Sequence, residues 1–239
     1  FFNLPELMNL FKEVADIKTA DQLDLPTPEV EYHNIVAKPT GHQQDMVKAL
    51  SERAAKVHSG TVDPSTDNML KITSDGRKLG LDQRIINPML PDEPGTKVNQ
   101  CVDNILQIWR DGQPEKLTQL VFCDISTPQA AGSKKVAKTL DNPMLHALEQ
   151  AVPEPEKPLA FTVYEDIRQK LIAQGMPASQ IAFIHEANTE VRKKELFSKV
   201  RSGQVRVLLG STQKMGAGTN VQDLLVALHD LDCPWRPGD

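Results

Sequence analysis

The residues best suited to chemistry in this sequence lie between Val205 and Gln222, VRVLLGSTQKMGAGTNVQ. Val205, Val207, Leu208 and Leu209 form a short aliphatic and β-branched run that reads as a buried strand. Beyond it Ser211 and Thr212 carry hydroxyls, Lys214 a cation and Asn220 an amide, while Gly216 and Gly218 lack a Cβ. Such a turn can bring backbone N–H groups against phosphate oxygens, with side-chain donors and a cation alongside. The same letters also describe an ordinary turn, in which the glycines take positive φ and the polar side chains close local hydrogen bonds.

A few further residues invite a chemical reading. Ser126 and Thr127 end the strand-like LVFCDIST just before Pro128, where they could meet phosphate or merely stop the strand. Between Glu190 and Lys214 the chain carries seven basic residues (Arg192, Lys193, Lys194, Lys199, Arg201, Arg206, Lys214) against two acidic ones, enough for a phosphate-binding patch or a solvated helix face. Arg192 falls at the start of a predicted helix, the wrong end for a cation to offset the dipole, which points to an outside partner. His185 beside Glu186 suggests acid–base work, but no second His or Cys lies near in sequence to complete it.

Composition narrows the classes. Charged residues make up 25% and aromatics 5%, with a net charge of −5, so neither a disordered chain nor one that is basic all over is expected. Cys101, Cys123 and Cys233 are widely spaced without zinc-ligand spacing, which suits reduced thiols in the cytoplasm. No apolar run approaches the roughly 18 residues needed to cross a bilayer. The sequence does not begin with Met and ends after a Trp-Arg-Pro-Gly turn, so a piece of a longer protein is expected.

The elements that must position these residues follow from periodicity. Asn3 ahead of Pro5 and Glu6, with Leu7, Leu10, Phe11, Val14 and Ile17, predicts a capped amphipathic helix. Val30 to Val36, bounded by Pro28 and Pro39, predicts a short strand or an extended linker. Helices are predicted from Thr40 to Gly60, over Asn68 to Ile86, and from a Thr96 cap through Trp109. At Thr118 the pattern changes: TQLVFC, IAFIH, VRVLLGS and LLVALHDLD read as strands, separated by FTVYEDIRQKLIAQG and NTEVRKKELFSKVRSG as helices. This alternation predicts an α/β fold with a parallel sheet and right-handed crossovers. Ligands of such sheets bind at the carboxyl ends of the strands, here 124–127, 185–188, 211–220 and 232–237. The stretch 128–158 interrupts the pattern and is expected to be a mobile insertion with a short helix near Leu145 to Ala151.

Taken together, LVFCDIST (120–127), IHEANTEVR (184–192), STQKMGAGTN (211–220) and Asp232 with Trp235 and Pro237 resemble successive motifs of the second RecA-like lobe of superfamily-two helicases. The branch they most resemble is the double-stranded-DNA translocases that include chromatin remodellers, and the finer wording is similar to large bacterial mobile-element helicases that can carry a methylase region. The resemblance spans roughly residues 24 to 237. It implies a mainly helical lead-in at 1–95 and a RecA-like lobe at 96–239, with a parallel sheet flanked by helices.

It also implies roles. Gly216 and Gly218 would lie beside ATP, while Ser126, Thr127, Arg192, Ser211, Thr212, Lys214 and Asn220 would face double-stranded DNA. Asp232 and Trp235 would couple this lobe to the next motif. The sequence departs from the family at Met215, where a glycine is usual, and at Arg236, where an asparagine is usual. It contains no G-x-x-x-x-G-K-[ST] phosphate loop and no Asp-Glu box, and it ends before the arginine-bearing sixth motif. ATP would therefore be shared with an N-terminal RecA-like lobe of the parent protein, which would also hold the magnesium, and the chain alone is expected to hydrolyse no ATP. The alternative is a non-catalytic RecA-like docking or regulatory module. A nicotinamide dehydrogenase fails because Val221 stands where a third glycine would belong.

Overall fold

The computed structural model describes residues 3–16, 18, 22–23, 28–128, 161–216 and 218–233. The expected insertion beyond Pro128, its short helix and Trp235 lie outside the described residues. The chain divides into two compact units, Phe1–Asn34 and Ile35–Asp239.

In the first unit, α1 (Leu4–Val14) leaves Leu4, Leu7, Leu10, Phe11 and Val14 exposed and buries none of its residues. Asn3 does not cap it in the expected way. Its backbone is left-handed, and its side-chain amide donates to the Glu6 carboxylate instead of its oxygen accepting a helix N–H. Residues 28–40 form neither helix nor paired strand, so of the two expectations for Val30 to Val36 the strand is not formed.

The second unit opens with α2 (Gly41–His58), started by a capping box: Thr40 Oγ1 accepts the Gln43 N–H at 3.1 Å and Gln43 Oε1 accepts the Thr40 N–H at 2.9 Å. Next, α3 (Met69–Leu81) is capped by Asn68 and stops before the expected Ile86. Asp82 turns extended there and caps a single 3₁₀ turn, Gln83–Ile85. Its carboxylate also takes two bonds from the Arg84 guanidinium, whose other N–H groups reach Asp166 at 3.1 and 2.8 Å. The buried ion cluster outbids one more turn of helix. As expected, Thr96 caps α4 (Lys97–Asp111), which buries Val98, Cys101, Val102, Ile105 and Leu106 along one stripe.

Four strands then form one parallel sheet: β1 (Thr118–Phe122), β2 (Ile181–Phe183), β3 (Val207–Gly210) and β4 (Leu225–Asp230), in the order β2-β3-β1-β4. Between them run α5 (Val163–Ala173), α6 (Glu190–Arg201) and the single-turn α7 (Thr212–Met215). From β1 to β2 the chain steps two places one way, with α5 packed beside α4 on the face bearing Val121, Phe183, Val207 and Leu209. From β2 to β3 it steps back, and Val200 of α6 joins Leu120, Ala182 and Leu208 on the other face. Opposite steps with helices on opposite faces are what right-handed crossovers require. The expected class, an α/β parallel sheet of RecA-like kind flanked by helices and preceded by a helical segment, is borne out.

Two polar residues are built into this core. Gln119 is fully buried, donates to the Ile105 carbonyl at 3.0 Å and accepts from His229 Nε2 at 2.9 Å. Arg206, only 2% exposed, donates to the carbonyls of Leu117 and Gly112. No helix among the described residues is long and apolar enough to cross a membrane.

Candidate functional site

Because all four strands are parallel, their carboxyl ends share one edge of the sheet. Residues 123–128 leave that edge after β1, 184–189 after β2, 211–220 after β3 and 231–233 after β4. Three of these stretches are hydrogen-bonded together. The Asp232 carboxylate accepts the Asp124 N–H at 2.9 and 3.1 Å and the Ile125 N–H at 2.8 Å. The Asp124 carboxylate in turn accepts the Thr212 N–H at 2.7 Å. Burial pushes the Asp232 carboxyl above its ordinary range, while the two backbone N–H groups and Arg77 pull it back.

Each sequence-predicted residue among the described ones has a definite place. Ser126 sits at φ +62° and its hydroxyl accepts the Val163 N–H at 3.0 Å, so it is engaged at the start of α5. Thr127 is half-buried just beyond it. Ser211 is buried, and its carbonyl accepts the N–H groups of Lys214 and Met215 at 3.0 Å each. The Thr212 carbonyl accepts the Gly216 N–H at 2.7 Å. Gly216 does not need positive φ, since its backbone is right-handed at −67°. A Cβ there would stand 2.6 Å from the Thr212 carbonyl oxygen, and that close approach is what calls for glycine. Gly218 does take positive φ, +73°, in open surroundings. Asn220 is exposed, with its carbonyl accepting from Arg201 at 2.7 Å.

The basic run separates into different fates. Arg206 is buried inside the sheet and belongs to no surface patch. Lys193 pairs with Glu190 at 2.9 Å, and Arg201 is held by Asn220. Arg192, Lys194 and Lys199 remain exposed along α6. Arg192 lies in its first turn, where Thr189 caps the helix. Lys214 is half-buried and close enough to His185 to depress its imidazole, a second cause after burial. Glu186 turns to Arg168 at 3.4 Å, so His185 and Glu186 form no acid–base dyad. The His185 ring stands edge-on to Tyr164 at 5.4 Å, and its Nδ1, like Thr219 Oγ1, is buried without a hydrogen-bond partner.

The amides of Thr212, Lys214, Met215 and Gly216 are all committed to acceptors within the protein. The four N–H groups of that turn are therefore not free to cradle a phosphate. Among the described residues no group of three or more His, Cys, Asp and Glu side chains could hold a metal. No protein-family model matches the sequence, and no curated protein matches it. Asp124 is the functional candidate that sequence reasoning missed. Its signal was a carboxylate at a strand's end, but its partner, Thr212, lies 88 residues away.

Proposed function

We propose that this chain is the second motor lobe of an ATP-dependent DNA translocase of the helicase type, with duplex DNA meeting the strand-end edge of its sheet. One observation carries the reading. Stretches far apart in sequence, each resembling a successive helicase motif, end at one edge of one parallel sheet, and three of them are bonded together there. That edge is where open α/β sheets take their ligands. Arg192 and Lys194 sit at the start of α6, which leaves the same edge, and unlike-charged phosphate would offset cations that the helix dipole disfavours.

In this reading the nucleoside triphosphate and magnesium belong to a phosphate-loop lobe of the same parent protein, whose hydrolysis would supply the free energy for movement. The work of this chain is to grip the backbone and to transmit closure between lobes. Three free cysteines, two of them buried, agree with work in the cytoplasm.

The test is ATP hydrolysis by the parent protein, both flanking regions included, with and without duplex DNA. Stimulation by duplex that is lost in Lys214→Ala with Arg192→Ala supports the motor; hydrolysis by this chain alone refutes the division of labour. The committed amides of the Ser211–Gly216 turn favour a second reading, a docking or regulatory module without catalysis. A parent protein that binds a protein partner and stays silent with DNA would decide for it.

A further inference from the structure

The loop that leaves β1 is held from several directions. Tyr164 of α5 donates its hydroxyl to the Cys123 carbonyl, and Val163 donates its N–H to the Ser126 hydroxyl. From the end of β4, Asp232 takes the N–H groups of Asp124 and Ile125. Ser126 is fixed in a left-handed conformation that a residue with a Cβ adopts only when its surroundings insist. With its backbone pinned in this way, the loop presents the Asp124 carboxylate to the first N–H of the turn after β3, at 2.7 Å.

We propose that Asp124 is a positioning residue: its carboxylate fixes the Ser211–Gly216 turn, and with it Lys214, for contact with a nucleic-acid backbone. The proposal rests on the translocase reading for the identity of the ligand. A carboxylate at an edge that meets phosphate is unfavourable by charge alone. Its geometry supplies the compensating role, a charge-assisted bond from a rigid loop to the turn that carries the cation. Charge and acceptor therefore act in opposite directions on DNA binding, and substitutions can separate them. Asp124→Asn removes the charge and keeps an oxygen acceptor; Asp124→Ala removes both.

The experiment measures binding of the full chain to a short fluorescent duplex at low salt, together with hydrogen exchange across residues 207–220. In Asp124→Ala, exchange in the turn should rise and duplex affinity should fall, each about tenfold, the scale of one charge-assisted hydrogen bond. Asp124→Asn, which keeps an acceptor without the charge assistance, should raise exchange less than Asp124→Ala and bind duplex more tightly than Asp124→Ala. Thr212→Pro removes the same bond from its donor side, at a helix position that tolerates proline, and leaves the Asp124 charge in place, so exchange should rise as in Asp124→Ala while duplex affinity should fall further. If Asp124→Ala binds as tightly as Asp124→Asn, the carboxylate acts only through charge and the proposal is overturned. If exchange responds as expected while no variant and not even the natural chain binds duplex, the positioning role stands and the DNA reading falls.

Discussion

Acidification should weaken the sheet through one imidazole, His229. Gln119 spends its amide N–H on the Ile105 carbonyl, so its oxygen faces the ring at 2.9 Å and the ring donates its Nε2–H. Burial holds the imidazole down from 6.5 to about 4. With the folded value below the unfolded one, the unfolded chain binds more protons between them. Stability is thus full above the unfolded value and is lost as pH falls through the folded one. The gap of about 2.5 pH units, at about 1.36 kcal/mol each, caps the loss at roughly 3 kcal/mol, and the partial exposure of His229 brings the expected figure to about 2 kcal/mol. Urea unfolding of the natural chain and of His229→Gln, at about pH 7 and about pH 4.5, isolates this contribution, because the carboxylates titrate in both. Gln keeps a donor near Nε2 without a titrating group. If the two stabilities fall in parallel, within about 0.5 kcal/mol, the imidazole does not carry the loss and the reasoning is refuted.

Other outcomes follow from the same geometry. Arg84→Met should cost about 3 to 5 kcal/mol in urea unfolding, because it strands the buried carboxylate of Asp82 while Asp166 keeps Lys170 at 2.7 Å, and adding Asp82→Asn should recover most of it. Gly175→Ala and Gly203→Ala both place a Cβ at positive φ, which costs about 1 to 2 kcal/mol. Gly203→Ala should lose on the order of 1 to 3 kcal/mol more, since its Cβ would stand 2.6 Å from the Lys116 side chain whereas Gly175 has open space. Equal thermal midpoints for the two would contradict this. On the DNA side, Arg192→Glu with Lys194→Glu should flatten the dependence of duplex affinity on salt by about 2 in the log–log slope, whereas Lys56→Glu on α2 should leave the slope unchanged.

Local signals carried the elements, and long-range ones did not. The Thr40–Gln43 box and the Thr96 cap lie within a few residues of what they cap, so their helices were legible from spacing alone. The IAFIH stretch gave only three strand residues, because at Ile184 the chain turns inward into a 3₁₀ turn that buries this side chain between β3 and α6. Arg206 looked like part of a basic surface, yet one strand register decides that it points among the carbonyls of 112 and 117. The strand order β2-β3-β1-β4 is what brings Asp124 to Thr212 and Asp232 to Asp124. No periodicity within a window of 20 residues encodes that order. The turn after β3 lies at a strand end as expected; the acceptors of its Lys214, Met215 and Gly216 amides are local, and only that of the Thr212 amide, Asp124, depends on the strand order.

The pairing of β1 also has a consequence in time. Both of its hydrogen-bonded neighbours, β3 and β4, come later in the chain, beginning at Val207 and Leu225. As the chain is synthesised, Thr118–Phe122, an apolar strand with two bare edges, must wait for more than 80 further residues before either edge is covered. Loop closure over such a distance is slow, and an unpaired apolar strand is a template for wrong partners. Refolding of this unit should therefore be limited by the arrival of β3 and β4 and should lose yield as concentration rises. A chain cut before Val207 should keep α4 and α5 as helical segments yet aggregate through β1, so β3 and β4 act as the guardians of a strand made well before them.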